Sequence, residues 1–159
     1  MKRLFFVMLV GAMSLLVSCN THSHTLQAHY QTKCEYINDE GDGSITVRAY
    51  GEGRYRKDAI EQARKNAVRE IIFEGVNVLG NQQLSRPLIF ENNAKEKYED
   101  FFYSFFKDGG EYTKFVDHSD RRHLTNERHW DNAQVKISTT VRVYRSDLKQ
   151  YLKEQNIIK

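Results

Sequence analysis

The chain has 159 residues, of which 40% are hydrophobic, and its 24 Lys and Arg side chains nearly balance its 21 Asp and Glu side chains. A formal net charge of only +3, with acids and bases interleaved, excludes the strong basic excess typical of proteins that bind a phosphate backbone. The two cysteines cannot form a Cys-x-x-Cys metal motif. We therefore expect no nucleic-acid partner.

The first residues are typical of a bacterial export signal. Lys2 and Arg3 precede an apolar run over residues 4–17, which is too short to span a bilayer comfortably as a permanent helix. The run ends in Leu16-Val17-Ser18-Cys19, which resembles the lipobox of bacterial lipoproteins, where cleavage before the cysteine accompanies its acylation. We expect residues 1–18 to be a signal peptide and Cys19 to be the lipidation site. An ordinary secretory signal that contains a cysteine is the alternative.

The lipobox resemblance implies an anchor rather than a membrane-spanning helix. Two or three acyl chains hold a protein in a leaflet almost irreversibly, since each buried methylene contributes about 0.8 kcal/mol. By resemblance to known sorting signals, Asn20 in place of Asp favours the outer membrane, and residues 20–25 contain no acidic run that would indicate surface export. We expect a lipid-anchored protein that faces the periplasm. Removal of Lys2 and Arg3 lowers its formal net charge from +3 to +1.

Residues 19–43 are predicted to form a lipidated, flexible tether, because they are polar and end in an acidic, glycine-containing stretch. Within this range, Cys34-Glu35-Tyr36-Ile37 could add a short strand. With Cys19 acylated, Cys34 is the only free thiol. It is either a small apolar residue of the linker or first packed segment, or the site of an intermolecular disulfide.

Residues 44–75 are predicted to form a strand, a glycine turn and a helix. Ile45, Val47 and Ala49 alternate with polar residues, which indicates a strand with one buried face. Gly51-Glu52-Gly53 is expected to end that strand. From Asp58 the period changes to four, which predicts a helix of four or five turns that ends at Gly75. Its repeating positions are Ala59, Ala63, Ala67 and Ile71, and alanines allow that face to lie close to a sheet.

A second helix is predicted from Asn92 or Asn93 to about Lys107. Its common face carries Ala94, Tyr98, Phe101, Phe102, Phe105 and Phe106. We expect so many aromatic side chains to form much of the core, and an exposed aromatic surface for a partner is the alternative. Tyr103 lies off this face, and it is the best candidate for exposure and for contact with a partner.

The rest of the chain predicts two strands and a short helix. Residues 111–116 alternate weakly, and residues 135–144 alternate over a longer stretch. A helix over residues 147–155 would face inward with Leu148, Tyr151 and Leu152. We therefore predict a single α+β domain over residues 44–159. Its mostly antiparallel sheet would have three to five strands, two main helices packed on it, and a short C-terminal helix.

The polar residues of the 117–130 loop are the best candidates for chemistry. His118, His123 and His129 could bind zinc if a loop gathered them, although spacings of five and six residues do not share one helical face. A small-ligand or metal-binding function is therefore the alternative. Arg121 and Arg122 could contact an acidic partner or a lipid head group, and a solvated loop is the simpler interpretation. Since no serine or cysteine has the setting of an activated nucleophile, we predict no enzyme and no cofactor.

Several of these elements together resemble a bacterial envelope domain. They are the strand before Gly51-x-Gly53, the alanine helix that ends at Gly75, and the late strand that leads into Asp147-Leu148-x-x-Tyr151-Leu152. The arrangement resembles the N-terminal domain of flagellar assembly protein T and related single-domain lipoproteins. That resemblance implies a non-catalytic interaction or scaffold subunit beside an envelope-spanning machine. The size of the chain, its predicted tether and the lack of an enzyme site in its sequence also fit an accessory outer-membrane lipoprotein of a secretion system, for example of a type VI secretion variant. The resemblance leaves the partner complex and the oligomeric state open.

Overall fold

The computed structural model describes residues 33–117 and 135–159. Its sheet contains β1 (Glu35–Asp39), β2 (Ile45–Gly53) and β3 (Val135–Val143) in the order β1-β2-β3, with both neighbouring pairs antiparallel. Helices pack against it, so the predicted α+β fold is confirmed, with three strands in the part of the chain that the structure describes.

The central strand runs further than the sequence pattern predicts. β2 pairs with β3 over nine residues, from Ile45 opposite Val143 to Gly53 opposite Val135. The expectation that Gly51-Glu52-Gly53 ends the strand is therefore wrong. A Cβ built on Gly51 would lie 2.1 Å from the backbone oxygen of Ala59, so the glycine is there because a helix passes close to the strand.

Helix α1 (Arg56–Phe73) is that helix, and it covers one face of the sheet. Its buried residues are Ala59, Ala63, Ala67, Val68, Ile71 and Ile72, which confirms the predicted alanine face. At its C-terminus Gly75 has a φ of 79°, and its N–H donates to the oxygen of Glu70 at 2.7 Å. Only glycine adopts this left-handed conformation without a steric penalty, and the predicted end of the helix is confirmed.

The aromatic segment is helical but is divided in two. Short helices α2 (Gln82–Ser85) and α3 (Ala94–Lys97) precede α4 (Glu99–Phe106), and the break lies at Tyr98, where φ is −117° and ψ is 34°. The prediction of one continuous helix is therefore wrong. The face that was predicted to be buried is correct, because Ala94, Phe102, Phe105 and Phe106 are all buried in the core.

The segment after α4 is a 3₁₀ helix (Glu111–Phe115), not the predicted strand. Tyr112 and Phe115 are both buried. Residues three apart lie on the same side of a 3₁₀ helix, so this conformation directs both rings into the core, whereas a strand would turn them to opposite faces. Only Val116 pairs with the sheet, through a single bridge to Val143.

The last helix is α5 (Arg145–Glu154), which lies near the predicted range of 147–155. Leu148 and Leu152 are fully buried and Tyr151 is partly buried against the core, as expected. Among residues 33–117 and 135–159, no helix is long and apolar enough to cross a membrane.

The first strand lies inside the range that the sequence predicts to be tether. β1 pairs with β2 from Glu35 opposite Arg48 to Asp39 opposite Ile45, with an irregularity between Tyr36 and Asn38. The short strand considered for Cys34 to Ile37 is therefore present, and the ordered sheet begins before the predicted boundary at residue 44. Composition alone indicated a linker because β1 is mostly exposed and polar.

Candidate interaction surface

The sheet has a polar face on the side opposite helix α1. Gly51 lies against α1, so the alternation of β2 directs Thr46, Arg48, Tyr50 and Glu52 away from that helix. Residues directly opposite in an antiparallel pair share a face, which adds side chains from β1 and β3. The polar face so defined consists of Glu35, Asn38, Thr46, Arg48, Tyr50, Glu52, Lys136, Ser138, Thr140 and Arg142, of which Thr46 and Ser138 are buried.

Opposite charges on the polar face are paired across the strands. Arg48 Nη1 lies 3.1 Å from Glu35 Oε2, and the hydroxyl of Tyr50 donates to Glu35 Oε1 at 2.8 Å. Lys136 Nζ lies 2.9 Å from Glu52 Oε1. The Arg48 and Glu35 side chains are 46% and 54% exposed, so their pair contributes about 0–1 kcal/mol to stability. Charges of both signs are therefore interspersed and paired with one another on this face of the described sheet.

One end of the polar face is ordered by the loop between β1 and β2. The N–H and the hydroxyl of Ser44 donate to Asp42 Oδ1 at 3.0 and 2.6 Å, and Arg142 Nε donates to Ser44 Oγ at 2.7 Å. Arg142 also pairs with Asp42 directly. The Ser44 donors, and then the Arg142 guanidinium, hold the pKa of the Asp42 carboxyl below its usual value. The Asp42 carboxyl therefore stays ionised to a lower pH than an ordinary aspartate.

Tyr103 lies on α4 with its side chain in solvent, as its position off the aromatic face predicts. Its exposed fraction is 71%, whereas Phe102 and Phe105 beside it are buried. Tyrosine supplies a large amphipathic contact area and is enriched at protein interfaces. Contact between Tyr103 and a partner stays a prediction.

Cys34 lies in the first packed segment, which was one of its two predicted placements. It is 6% exposed, and its backbone N–H donates to Glu70 Oε2 at 2.7 Å. Burial raises the pKa of the Cys34 thiol, and the negative charge of Glu70 raises it further. Because the thiolate is the reactive form, an intermolecular disulfide would first require Cys34 to become uncovered.

A second set of polar side chains connects helix α1 to the 3₁₀ helix. The hydroxyl of the fully buried Tyr112 donates to Glu61, and burial raises the pKa of Tyr112. Lys65 pairs with Asp108 and lies 5.7 Å from the centre of the Tyr112 ring, and this pairing lowers the pKa of Asp108. These contacts link helix α1 to the 3₁₀ helix and to the turn before it. Sequence reasoning missed them because nothing local relates Glu61 to a tyrosine 51 positions away.

The remaining predicted site residues lie outside the described ranges. These are Cys19 for lipidation, His118, His123 and His129 for a metal, and Arg121 and Arg122 for a partner. Their roles stay predictions. Within residues 33–117 and 135–159, no group of three or more His, Cys, Asp and Glu side chains could hold a metal ion.

Comparison of the chain with protein-family models, with curated proteins and with solved structures finds no match.

Proposed function

We propose that the chain is a non-catalytic lipoprotein, anchored in the outer membrane through acylated Cys19 and facing the periplasm. It serves as an interaction or scaffold subunit of an envelope complex, for example a secretion apparatus. The observation that carries this proposal is Leu16-Val17-Ser18-Cys19 at the end of an apolar run that follows Lys2 and Arg3. Acyl chains on that cysteine would hold the mature chain at the membrane surface.

The pairing of polar groups supports a structural role. Every buried side-chain nitrogen or oxygen in the described part of the chain has a hydrogen-bond partner. A buried polar group that has its partner stabilises the fold, since leaving such a group unpaired costs about 1–3 kcal/mol. The buried hydroxyl of Tyr112, for example, donates to Glu61 and links helix α1 to the 3₁₀ helix.

Two surface features favour a protein as the partner. The polar face carries paired charges of both signs, and Tyr103 presents an exposed aromatic ring on α4. Tyrosine is enriched at protein interfaces, and the rims of such interfaces are polar. The resemblance of the strand, alanine helix and C-terminal elements to the N-terminal domain of flagellar assembly protein T also favours a place beside an envelope machine.

Site-specific photo-crosslinking in cells tests this function. A photoreactive phenylalanine derivative at position 103 is compared with the same group at Tyr55, a control tyrosine that is 62% exposed. We expect one envelope protein to be captured from position 103 and not from position 55. In a Cys19→Ala background that adduct is expected to fall by about tenfold or more, because the loss of the anchor lowers the effective concentration of the chain at its partner.

Two results would contradict the proposal. Equal capture from positions 103 and 55, in amounts unaffected by Cys19→Ala, would exclude an anchored interaction through α4. Stoichiometric zinc bound to the purified chain, and lost when His118, His123 and His129 are replaced by alanine, would instead support the metal-binding alternative.

A further inference from the structure

Strand β1 is held to the fold by few contacts. Its only strand partner among the described residues is β2, and four of its five residues are exposed. The pairing shifts between Tyr36 and Asn38, so the ladder is irregular within that short length. Cross-strand contacts of Glu35 with Arg48 and Tyr50 lie in solvent, where such contacts stabilise weakly.

A glutamate makes a hydrogen bond at each end of the segment that contains β1. At the start, Glu70 on helix α1 accepts the backbone N–H of Cys34 at 2.7 Å. At the end, Glu40 accepts the hydroxyl of Thr46 at 2.6 Å, and its N–H donates to the oxygen of Ser44 at 3.2 Å. Glu70 also faces Glu74 and Lys33, and partial burial raises its pKa. Cys34 is the one side chain of the segment that is buried in the core, and Tyr36 is partly buried against that core.

Among the described residues, every buried core residue except Cys34 lies outside residues 33–41. β2 and β3 pair over nine residues, and α1 packs its alanine face on them. The core side chains of α4, the 3₁₀ helix and α5 come from residues 102–152. Proteins open locally where buried contacts are few, at a lower free energy than global unfolding.

We infer that residues 33–41 form a strap that opens as a unit while β2, β3 and α1 stay folded, with Glu70 as its latch. Asp42 pairs with Arg142, and the oxygen of Gly43 accepts the N–H of Ser146 at 3.0 Å, so the strap ends before these residues. The inference rests on the contacts of Cys34, β1 and the following loop. An open strap reaches at most about 30–32 Å when fully extended. If the chain is anchored at Cys19, as the proposed function holds, opening lengthens the chain between that anchor and β2, and so extends the distance that the domain reaches from the membrane.

Labelling of Cys34 measures this opening directly. The full chain with Cys19→Ala, purified in detergent, retains Cys34 as its only thiol and has no acylation site, so the result does not depend on the lipid anchor. The rate of reaction with a disulfide reagent is followed against urea, beside global unfolding by circular dichroism. We expect Cys34 to be labelled at least about tenfold faster than global unfolding permits. The urea dependence of the labelling rate should be less than about half of that of global unfolding, because opening of the strap exposes little surface.

Substitutions at residue 70 test the latch. Glu70→Ala leaves the Cys34 N–H without its acceptor, and we expect labelling to be about five- to tenfold faster. Glu70→Gln retains an oxygen that can accept this N–H, and we expect a rate within about twofold of the unsubstituted chain. Glu74→Ala is the control for charge, because Glu74 faces Glu70 but pairs with Lys95 at 3.3 Å, and we expect a rate within about twofold of the unsubstituted chain.

Labelling that follows global unfolding in both rate and urea dependence would overturn the strap. An equal acceleration by Glu70→Ala and Glu74→Ala, or by Glu70→Ala and Glu70→Gln, would overturn the assignment of Glu70 as its latch. Equal crosslinking from positions 103 and 55 that is unaffected by Cys19→Ala would refute the proposed function and leave these labelling rates unaffected, so the failure of one proposal is distinguishable from the failure of the other.

Discussion

Phe105→Ala is expected to lower the free energy of unfolding by about 3–5 kcal/mol, the cost typical of truncating a buried aromatic side chain. Phe105 is 1% exposed. Its ring centre lies 4.9 Å from that of Phe106, 5.7 Å from Phe101, 5.9 Å from Tyr151 and 6.1 Å from Phe115. Removal of the ring leaves a cavity among four aromatic groups from three different segments, which cannot all move inward to fill it.

Tyr103→Ala is the matched control, because it truncates an aromatic side chain two residues away on the same helix. With 71% of Tyr103 exposed, we expect the free energy of unfolding to change by at most about 0.5 kcal/mol. Urea unfolding of both variants measures the difference. If the two substitutions lowered the free energy of unfolding by similar amounts, the aromatic face of α4 would not be part of the core. That result would favour the alternative, in which this face is an exposed surface for a partner.

Gly51→Ala is expected to cost about 3 kcal/mol or more, at the upper end of the range for overpacking. The added Cβ would lie 2.1 Å from the backbone oxygen of Ala59 and 2.4 Å from the backbone nitrogen of Ala63. Both atoms belong to the backbone of helix α1, so no side-chain rotation relieves the clash. The helix must instead move away from β2, which separates its alanine face from the sheet.

Gly80→Ala separates this clash from the ordinary effect of replacing glycine. Gly80 has a φ of 82° and open space around its Cα, so the added methyl meets only the strain of a left-handed conformation, about 1 kcal/mol. Thermal and urea unfolding of the two variants provide the comparison. A Gly51→Ala variant that is as stable as Gly80→Ala would show that α1 does not approach β2 as closely as the structure has it.

Helices and strands whose buried residues recur at a regular spacing could be predicted from the sequence. The alternation of Ile45, Val47 and Ala49 and the four-residue repeat of α1 record which face is buried, and β3 and α5 follow the same rule. The end of β2 could not be predicted, because Gly51 and Gly53 have the composition of a turn. Their role is steric, and it depends on a helix that follows them in the chain.

Contacts between distant residues account for the other failures. β1 has the exposed, polar composition of a linker and becomes a strand only by pairing with β2. The acceptor of the Cys34 N–H is Glu70, 36 positions away, and no local pattern relates the two. The exposure of Tyr103 was predictable, since it follows from its angular position on a helix whose other aromatic residues face inward.

The intact mass of the mature chain, extracted from membranes in detergent, tests most directly whether acyl chains on Cys19 anchor the protein. We expect a chain that begins at Cys19 and carries a diacylated thiol and an acylated amine, with the same lipid adduct in a Cys34→Ala variant. A mature chain with an unmodified Cys19, or one that begins at another residue and is recovered without detergent, would contradict the anchor.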